Sequence, residues 1–247
     1  MEEEIKSETR EEKSEILEEK KEVKDETPWL FFDYSGTLVD TLAALSKTYT
    51  KFMGKEFTLA TVRSLYRDYS THKNKFYVIR KYKLNPFKLM FKGKKKFYEI
   101  RKEEFWLGVR TFPGISEVLF RLRKIINAKF GMVTYETELE EEEERKKIFQ
   151  HFGIPIEFDA FIIDSRKKEE KFDTFIAEND IKYGIIVGDN QSDLDMGKKY
   201  NFNTIGVTWG FSSRDDFTAD YIIDDPREMI QAIMNLLHQI EQQKLQI

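Results

Sequence analysis

Apolar positions along the 247-residue chain fall into two alternating patterns. Short continuous apolar runs stand at Trp29 to Phe32, Phe130 to Val133, Ala160 to Ile163, Ile185 to Val187, Thr204 to Val207 and Tyr221 to Ile223. Runs of this length, bounded by polar or turn residues, predict strands buried on both faces. Between most of them the apolar residues recur at helical spacing. Ile115, Val118, Leu119, Leu122, Ile125 and Ile126 form one such face, and Met229, Ile230, Ile233, Leu236, Leu237 and Ile240 form the last. That last helix is announced by Asp225 as cap, Pro226 in its first turn and Glu228 completing a capping box. Glu138 to Phe152 is expected to be helical, with Glu140 to Glu144 on its solvated face. Strands alternating with helices predict an α/β fold, a Rossmann-like parallel sheet flanked by helices, whose ligands gather at the carboxyl ends of the strands.

One block interrupts the alternation. Leu42, Leu45, Tyr49 and Phe52 are at helical spacing, as are Leu59, Val62, Leu65, Tyr66 and Tyr69 after a Thr58 cap. Residues 73–102 then hold 12 Lys or Arg against the single acid Glu99, with seven aromatics interleaved. Asn85-Pro86 and Gly93 are expected to break this stretch into short helices. Residues 41–110 therefore read as an inserted helical, basic module. Residues 28–40 and 111–247 form the parallel-sheet core, and residues 1–27, with 12 acidic and 6 basic side chains and little to pack, form a charged tail.

Composition narrows the classes. Hydrophobic residues make up 40% of the chain and aromatics 14%, enough for one substantial core. No stretch approaches a membrane span. The opening Glu2-Glu3-Glu4 is unlike a secretory signal, so a cytoplasmic location is expected. Cysteine is absent, which removes disulfides, thiolate metal ligands and cysteine nucleophiles together. The net charge of -4 averages segments of opposite sign and says little about partners.

The candidate chemistry lies at the strand ends. The first apolar run stops at Asp33, followed by Tyr34-Ser35-Gly36-Thr37; the second stops at Thr134. The run ending at Val187 leads into Gly188-Asp189-Asn190-Gln191-Ser192-Asp193. Two carboxylates four residues apart around a tight turn, with Asp33 as a third oxygen donor, suit a hard cation, and without sulfur or nearby histidine that cation is expected to be Mg²⁺. A lysine upstream of Asp189 would neutralise a bound dianion. Carboxylates, a cation, an ammonium and a hydroxyl together make a phosphoryl-transfer site.

These residues resemble the haloacid dehalogenase superfamily, in its phosphoglycolate-phosphatase-like branch. Asp33, Gly36 and Thr37 resemble its first motif, Thr134 its second, and Gly188-Asp189 with Asp193 its acidic fourth. Phe112-Pro113-Gly114 and Ile205 to Phe211 are also similar to that branch. The resemblance covers residues 29 to about 237. It implies a nucleophilic Asp33 that forms an aspartyl-phosphate, a phosphoryl group held by Thr134 and a lysine, and Mg²⁺ bound by Asp33, Asp189, Asp193 and the backbone carbonyl of Ser35. It also makes the basic block a cap that selects the substrate, with Gly36, Thr37, Tyr135, Lys168 and His72 as expected substrate contacts. Lys167, Lys168 and Lys171 all fall in the interval of the third-motif lysine. Lys171 is favoured because Phe172, Phe175 and Ile176 start a helix directly after it, and Lys168 is the runner-up.

Ser35 departs from the pattern, because phosphatases of the superfamily usually place a second Asp there as general acid and base. Such a group is typically worth about 10² to 10⁴ in rate. Three consequences are open: a substrate with a good leaving group, a cap residue such as His72 acting instead, or a protein that binds phosphate ligands and turns over slowly. The leading expectation is a Mg²⁺-dependent hydrolase of a small phosphorylated metabolite. The alternatives are a weakly catalytic protein whose basic cap binds a polyanion such as a nucleotide or nucleic acid, a dehalogenase, and a phosphonate hydrolase. Lysines interleaved with aromatics also suit single-stranded nucleic acid or an anionic membrane surface, but no recognition motif accompanies the charge.

Overall fold

The computed structural model describes residues 26–71, 75–89 and 92–245. Most of the charged tail, and His72, lie outside the described residues. Among the described residues, six parallel strands form one sheet: β1 (Trp29–Asp33), β4 (Lys129–Thr134), β5 (Ala160–Ile163), β6 (Gly184–Gly188), β7 (Asn203–Val207) and β8 (Tyr221–Ile223), in the spatial order β5-β4-β1-β6-β7-β8. The chain fills one side of β1 with β4 and β5, then returns to fill the other with β6, β7 and β8. Its direction therefore reverses between β1 and β6, the point at which ligands of open α/β sheets gather beyond the strands' carboxyl ends.

Helices cover both faces, and β1 shows why. Successive side chains of a strand point to opposite faces. Leu30 and Phe32 enter the larger core cluster with α6 (Ile115–Ile125), α7 (Glu142–Phe152) and α10 (Met229–Lys244). Trp29 and Phe31 enter the smaller one with α8 (Lys168–Glu178) and α9 (Gln191–Lys198). Asp33 continues the Trp29/Phe31 side, so it meets the starts of α8 and α9. Gly131 is required opposite Phe31, since a Cβ there would lie 2.5 Å from that ring.

Between Asp40 and Arg110 the described residues form five helices: α1 (Leu42–Met53), α2 (Leu59–Thr71), α3 (Lys75–Lys81), α4 (Pro86–Leu89) and α5 (Lys92–Gly108). They share their own core, built on Leu45, Phe52, Phe57, Val62 and Leu65, which Phe211 of the sheet domain enters by stacking on Tyr66 at 5.0 Å. The module is entered and left through a two-stranded antiparallel ribbon of β2 (Val39–Asp40) and β3 (Arg110–Thr111). Asp40 accepts a hydrogen bond from Leu42 N at 3.0 Å and so fixes the start of α1.

Two expectations need correction. Gly93 does not break a helix but lies in the first turn of α5, where a Cβ would fall 1.5 Å from the Lys88 carbonyl oxygen; close packing of α4 on α5 requires the glycine. The segment from Glu138 is not one helix. A 3-10 turn over Thr137–Leu139 precedes α7, and Arg145 donates to the Leu139 carbonyl at 2.8 Å across the break. The cap aromatics divide: Phe97 packs on Tyr49 and Phe52, whereas Phe76, Phe87 and Tyr98 are exposed. No helix among the described residues is long and apolar enough to cross a membrane.

Candidate active site

Asp33 ends β1 and Asp189 follows β6, so the two flank the reversal point of the sheet. Asp193 is the third residue of α9. It completes a capping box with Asn190, accepting that residue's backbone N–H at 3.2 Å on Oδ2 and leaving Oδ1 turned to the site. All three carboxylates are buried, and each offers an oxygen within 4.8 Å of the others. Asp189 is oriented by Phe211 N at 2.6 Å and Asn190 Nδ2 at 3.0 Å.

The backbone closes tightly on this cluster. Gly36 has φ +88°, a left-handed conformation that favours glycine, and a Cβ there would stand 2.2 Å from Asp189 Oδ2. At Gly210 a Cβ would stand 2.3 Å from the same oxygen. Two glycines thus form a cradle that a methyl group would fill.

Lys168, the first residue of α8, bridges two of the acids: its Nζ lies 3.0 Å from Asp33 Oδ1 and 2.7 Å from Asp193 Oδ1. The favoured Lys171 is not at this site. Its half-exposed side chain donates to the Ile163 carbonyl at 2.7 Å and stands 3.6 Å from Asp164, and Lys167 pairs with Glu170 at the surface. The reason is helical phase. Lys168, Phe172 and Ile176 repeat at four-residue steps on the buried stripe, while Lys171 sits on the neighbouring face. Asp164 begins the turn by accepting Arg166 N and Lys167 N, which aims Lys168 inward.

The register pairs Asp33 with Val133, so Thr134 stands one residue beyond it on the adjacent strand, fully buried. Tyr135 is half exposed; its hydroxyl donates to Glu169 at 2.5 Å and its ring centroid lies 4.5 Å from Lys168 Nζ. Thr37 is buried, its hydroxyl has no hydrogen-bond partner, and its carbonyl accepts Trp209 Nε1 at 3.0 Å.

Ser35 brings in Glu136 and Arg101. Its hydroxyl donates a 2.9 Å hydrogen bond to Glu136 Oε1. Oε2 of the same carboxylate pairs with Arg101 of α5, and Glu136 N donates to Thr134 Oγ1 at 3.2 Å. The cap therefore reaches the first loop of the core through one half-buried arginine and one half-buried glutamate. Alternation from Thr134 would have put Glu136 on the site side; nothing in the sequence pointed to Arg101.

The electrostatics follow from burial. Desolvation pushes the Asp33 carboxyl up to about 7, with Asp193 adding to the rise and Lys168 opposing it. Asp189 is raised well above the usual carboxylate range by burial and by the charges of Asp33 and Asp193. Burial alone would lower the Lys168 ammonium, but Asp193 and Asp33 overcome it and hold the group protonated. Three buried acids share one lysine, so burial and mutual repulsion make Asp33 and Asp189 reluctant to ionise without a further positive charge. The oxygen-only donor set and the glycine cradle fit a small hard dication such as Mg²⁺.

Comparison with known proteins agrees with this architecture. Residues 30–207 match the model of the haloacid dehalogenase-like hydrolases. The chain belongs to that hydrolase family. It is 21% identical over 222 residues to a phosphoglycolate phosphatase of Synechococcus elongatus, covering 85% of this chain and 99% of that protein. The fold is shared with a haloacid dehalogenase-like hydrolase from Streptococcus pneumoniae (TM-score 0.62, 20% identity, 84% of this chain and 99% of that one). It is shared also with a predicted phosphoglycolate phosphatase from Haemophilus somnus (TM-score 0.63, 16% identity, 84% and 98%).

Proposed function

We propose that the chain is a Mg²⁺-dependent phosphatase of small phosphorylated metabolites that works through an aspartyl-phosphate on Asp33. The observation that carries this reading is the convergence of Asp33, Asp189 and Asp193 within 4.8 Å, with Lys168 seated between two of them. The relative from Synechococcus elongatus supports the substrate class, a phosphorylated small molecule.

In the first step an oxygen of the Asp33 carboxylate attacks phosphorus, the bond from phosphorus to the leaving oxygen breaks, and the substrate's remainder departs with the electron pair. In the second step water attacks the same phosphorus, and the bond to Asp33 breaks to return the carboxylate. The Lys168 ammonium and the Thr134 hydroxyl hold the transferred oxygens, and Gly36 lets the backbone approach them. Mg²⁺, held by Asp33, Asp189 and Asp193 with the Ser35 carbonyl, would supply charge neutralisation for the dianion as it enters this acidic site. The lysine-rich cap attracts the anion toward the crevice. The buried three-carboxylate cluster favours a phosphatase over a dehalogenase, which would need no such cation site.

The test is turnover of p-nitrophenyl phosphate with and without Mg²⁺, for the wild type and Asp33→Asn. Mg²⁺-dependent activity that Asp33→Asn abolishes is expected. Metal-independent turnover, or turnover that survives Asp33→Asn, would sink the reading.

A further inference from the structure

We propose that the cavity between the cap helix α5 and the core helix α7 binds a small aromatic amine that carries a hydrogen-bonding group at its far end. None of Asp33, Thr134, Lys168, Asp189 and Asp193 lines it. Its volume of about 200 Å³ is below the roughly 300 Å³ at which pockets for drug-sized molecules begin, and far above the roughly 10–15 Å³ that one water needs. One ring with a short arm suits that size.

The walls are apolar. Phe105 and Trp106 come from α5, Ile148 and Phe152 from α7, and Leu139 from the 3-10 turn before it. Trp106 packs across the gap on Phe152, with ring centroids 6.1 Å apart, and so joins cap to core beside the cavity. Aromatic walls favour a flat ring, and their faces also attract a cation.

The two ends differ. At the buried end lies Tyr34, only 2% exposed, whose hydroxyl has no hydrogen-bond partner among the described residues. The charges of Glu136 and Glu138, which line the same cavity, act on this phenol and place its polar end beside the cavity. A buried hydroxyl left unpaired is costly, and a ligand atom that accepts its proton removes the cost. At the open end stand the exposed carboxylates of Glu141 and Glu144.

Charge selects a cation at that open end. Glu136, Glu138, Glu141 and Glu144 line the cavity against two cations, Arg101 and Lys102. Arg101 is committed to Glu136 and stands 3.9 Å from Glu138. Glu144 accepts from Lys147 at 2.8 Å and feels the charge of Lys102. Glu141 precedes α7 but makes no side-chain hydrogen bond to cap it, which leaves its carboxylate for a ligand. An ammonium at Glu141, a ring between the aromatic walls and an acceptor at Tyr34 answer all three features together.

Tyramine, with a phenol at one end and an ammonium at the other, is the probe. Isothermal titration into the full-length protein should show saturable binding at one site. Phenylethylamine, which lacks the hydroxyl, should bind about fivefold more weakly, the worth of one hydrogen bond, and Tyr34→Phe should bind the two amines equally. The charge-reversed analogue para-hydroxyphenylpropanoate should bind more weakly than tyramine, and Glu141→Lys should remove that preference. Asp33→Asn should bind tyramine as the wild type does. Melting curves establish that each variant is folded; if Tyr34→Phe is not, the exposed Glu141→Lys still decides. Absence of saturable tyramine binding overturns the proposal. So does a folded Tyr34→Phe that still prefers tyramine to phenylethylamine, or a Glu141→Lys that keeps the full preference for the amine. Loss of tyramine binding in Asp33→Asn would put the probe among the catalytic carboxylates and overturn it equally.

Discussion

Lys168 Nζ stands 3.0 Å from Asp33 Oδ1 and is equally committed to Asp193, so the lysine occupies the centre of the acidic cluster. In the proposed reaction an ammonium in this position would stabilise the charge of a transferred phosphoryl group, and it relieves the repulsion among the acids. Lys168→Ala should therefore reduce kcat/KM by about 10² to 10³, the scale of losing one preorganised charge-stabilising group. The metal-free protein should also lose about 3–5 kcal/mol of stability, as when one partner of a buried pair is removed. Lys171→Ala, half exposed and tied to a backbone carbonyl, should leave both near wild type. Phosphatase assays and denaturant melts of the two variants decide the assignment.

The same cluster sets a pH dependence for the metal-free fold. Asp33 is shifted from its ordinary 3.8 up to about 7, chiefly by burial. Its folded form holds a proton that the unfolded chain has already released between those values, so stability falls as pH rises through that window. Asp189 is shifted in the same direction and adds to the trend. Melting temperature without metal should be higher near about pH 5 than near about pH 8. Mg²⁺ should raise it more at the higher pH, because binding there displaces fewer protons. Equal Mg²⁺ stabilisation at both values would contradict the assignment of these carboxylates as its ligands.

Gly36 and Gly210 press on one oxygen of Asp189 from two sides. Alanine at 36 meets both a left-handed φ and a clash at 2.2 Å, costing about 1–3 kcal/mol for the backbone strain alone. Gly210→Ala has the clash with no positive φ to add to it. Both variants should weaken Mg²⁺ stabilisation measured by calorimetry, and Gly36→Ala should melt lower. Unchanged Mg²⁺ binding in both would show that Asp189 is free to move away from the two glycines.

Much of this architecture could be read from the sequence because buried parallel strands leave nearly continuous apolar runs. Phe130 to Val133 and Ala160 to Ile163 stand out in this way, and the helices between strands carry complete stripes. The β2–β3 ribbon could not be read, since two residues per strand carry no period. Lys168 was legible in principle: it lies four residues before Phe172, on the buried stripe, whereas adjacency to Phe172 favoured Lys171. Helical phase, not adjacency, decides which lysine turns inward. The link from Ser35 to Glu136 to Arg101 was not legible, because it joins residues from two strand ends and a cap helix through tertiary contacts alone.

The Ser35–Glu136 bond also bears on which substrates react fastest. Because the Ser35 proton is donated to Glu136, whose other oxygen is paired with Arg101, this position offers no acid to a departing oxygen. The leaving group must then depart as an anion, and its own stability enters the first barrier directly. Rates across a series of aryl and alkyl phosphates should fall steeply as the leaving alcohol becomes more basic. Aryl or acyl phosphates should outpace simple alkyl phosphates by at least about 10², the typical contribution of a missing general acid. Ser35→Asp, which restores a carboxyl two residues from the nucleophile, should flatten that dependence by accelerating the alkyl esters most. A wild-type enzyme equally fast on alkyl and aryl phosphates would mean that a proton donor reaches the leaving oxygen from elsewhere, and the role given to this bond in the first step would fall.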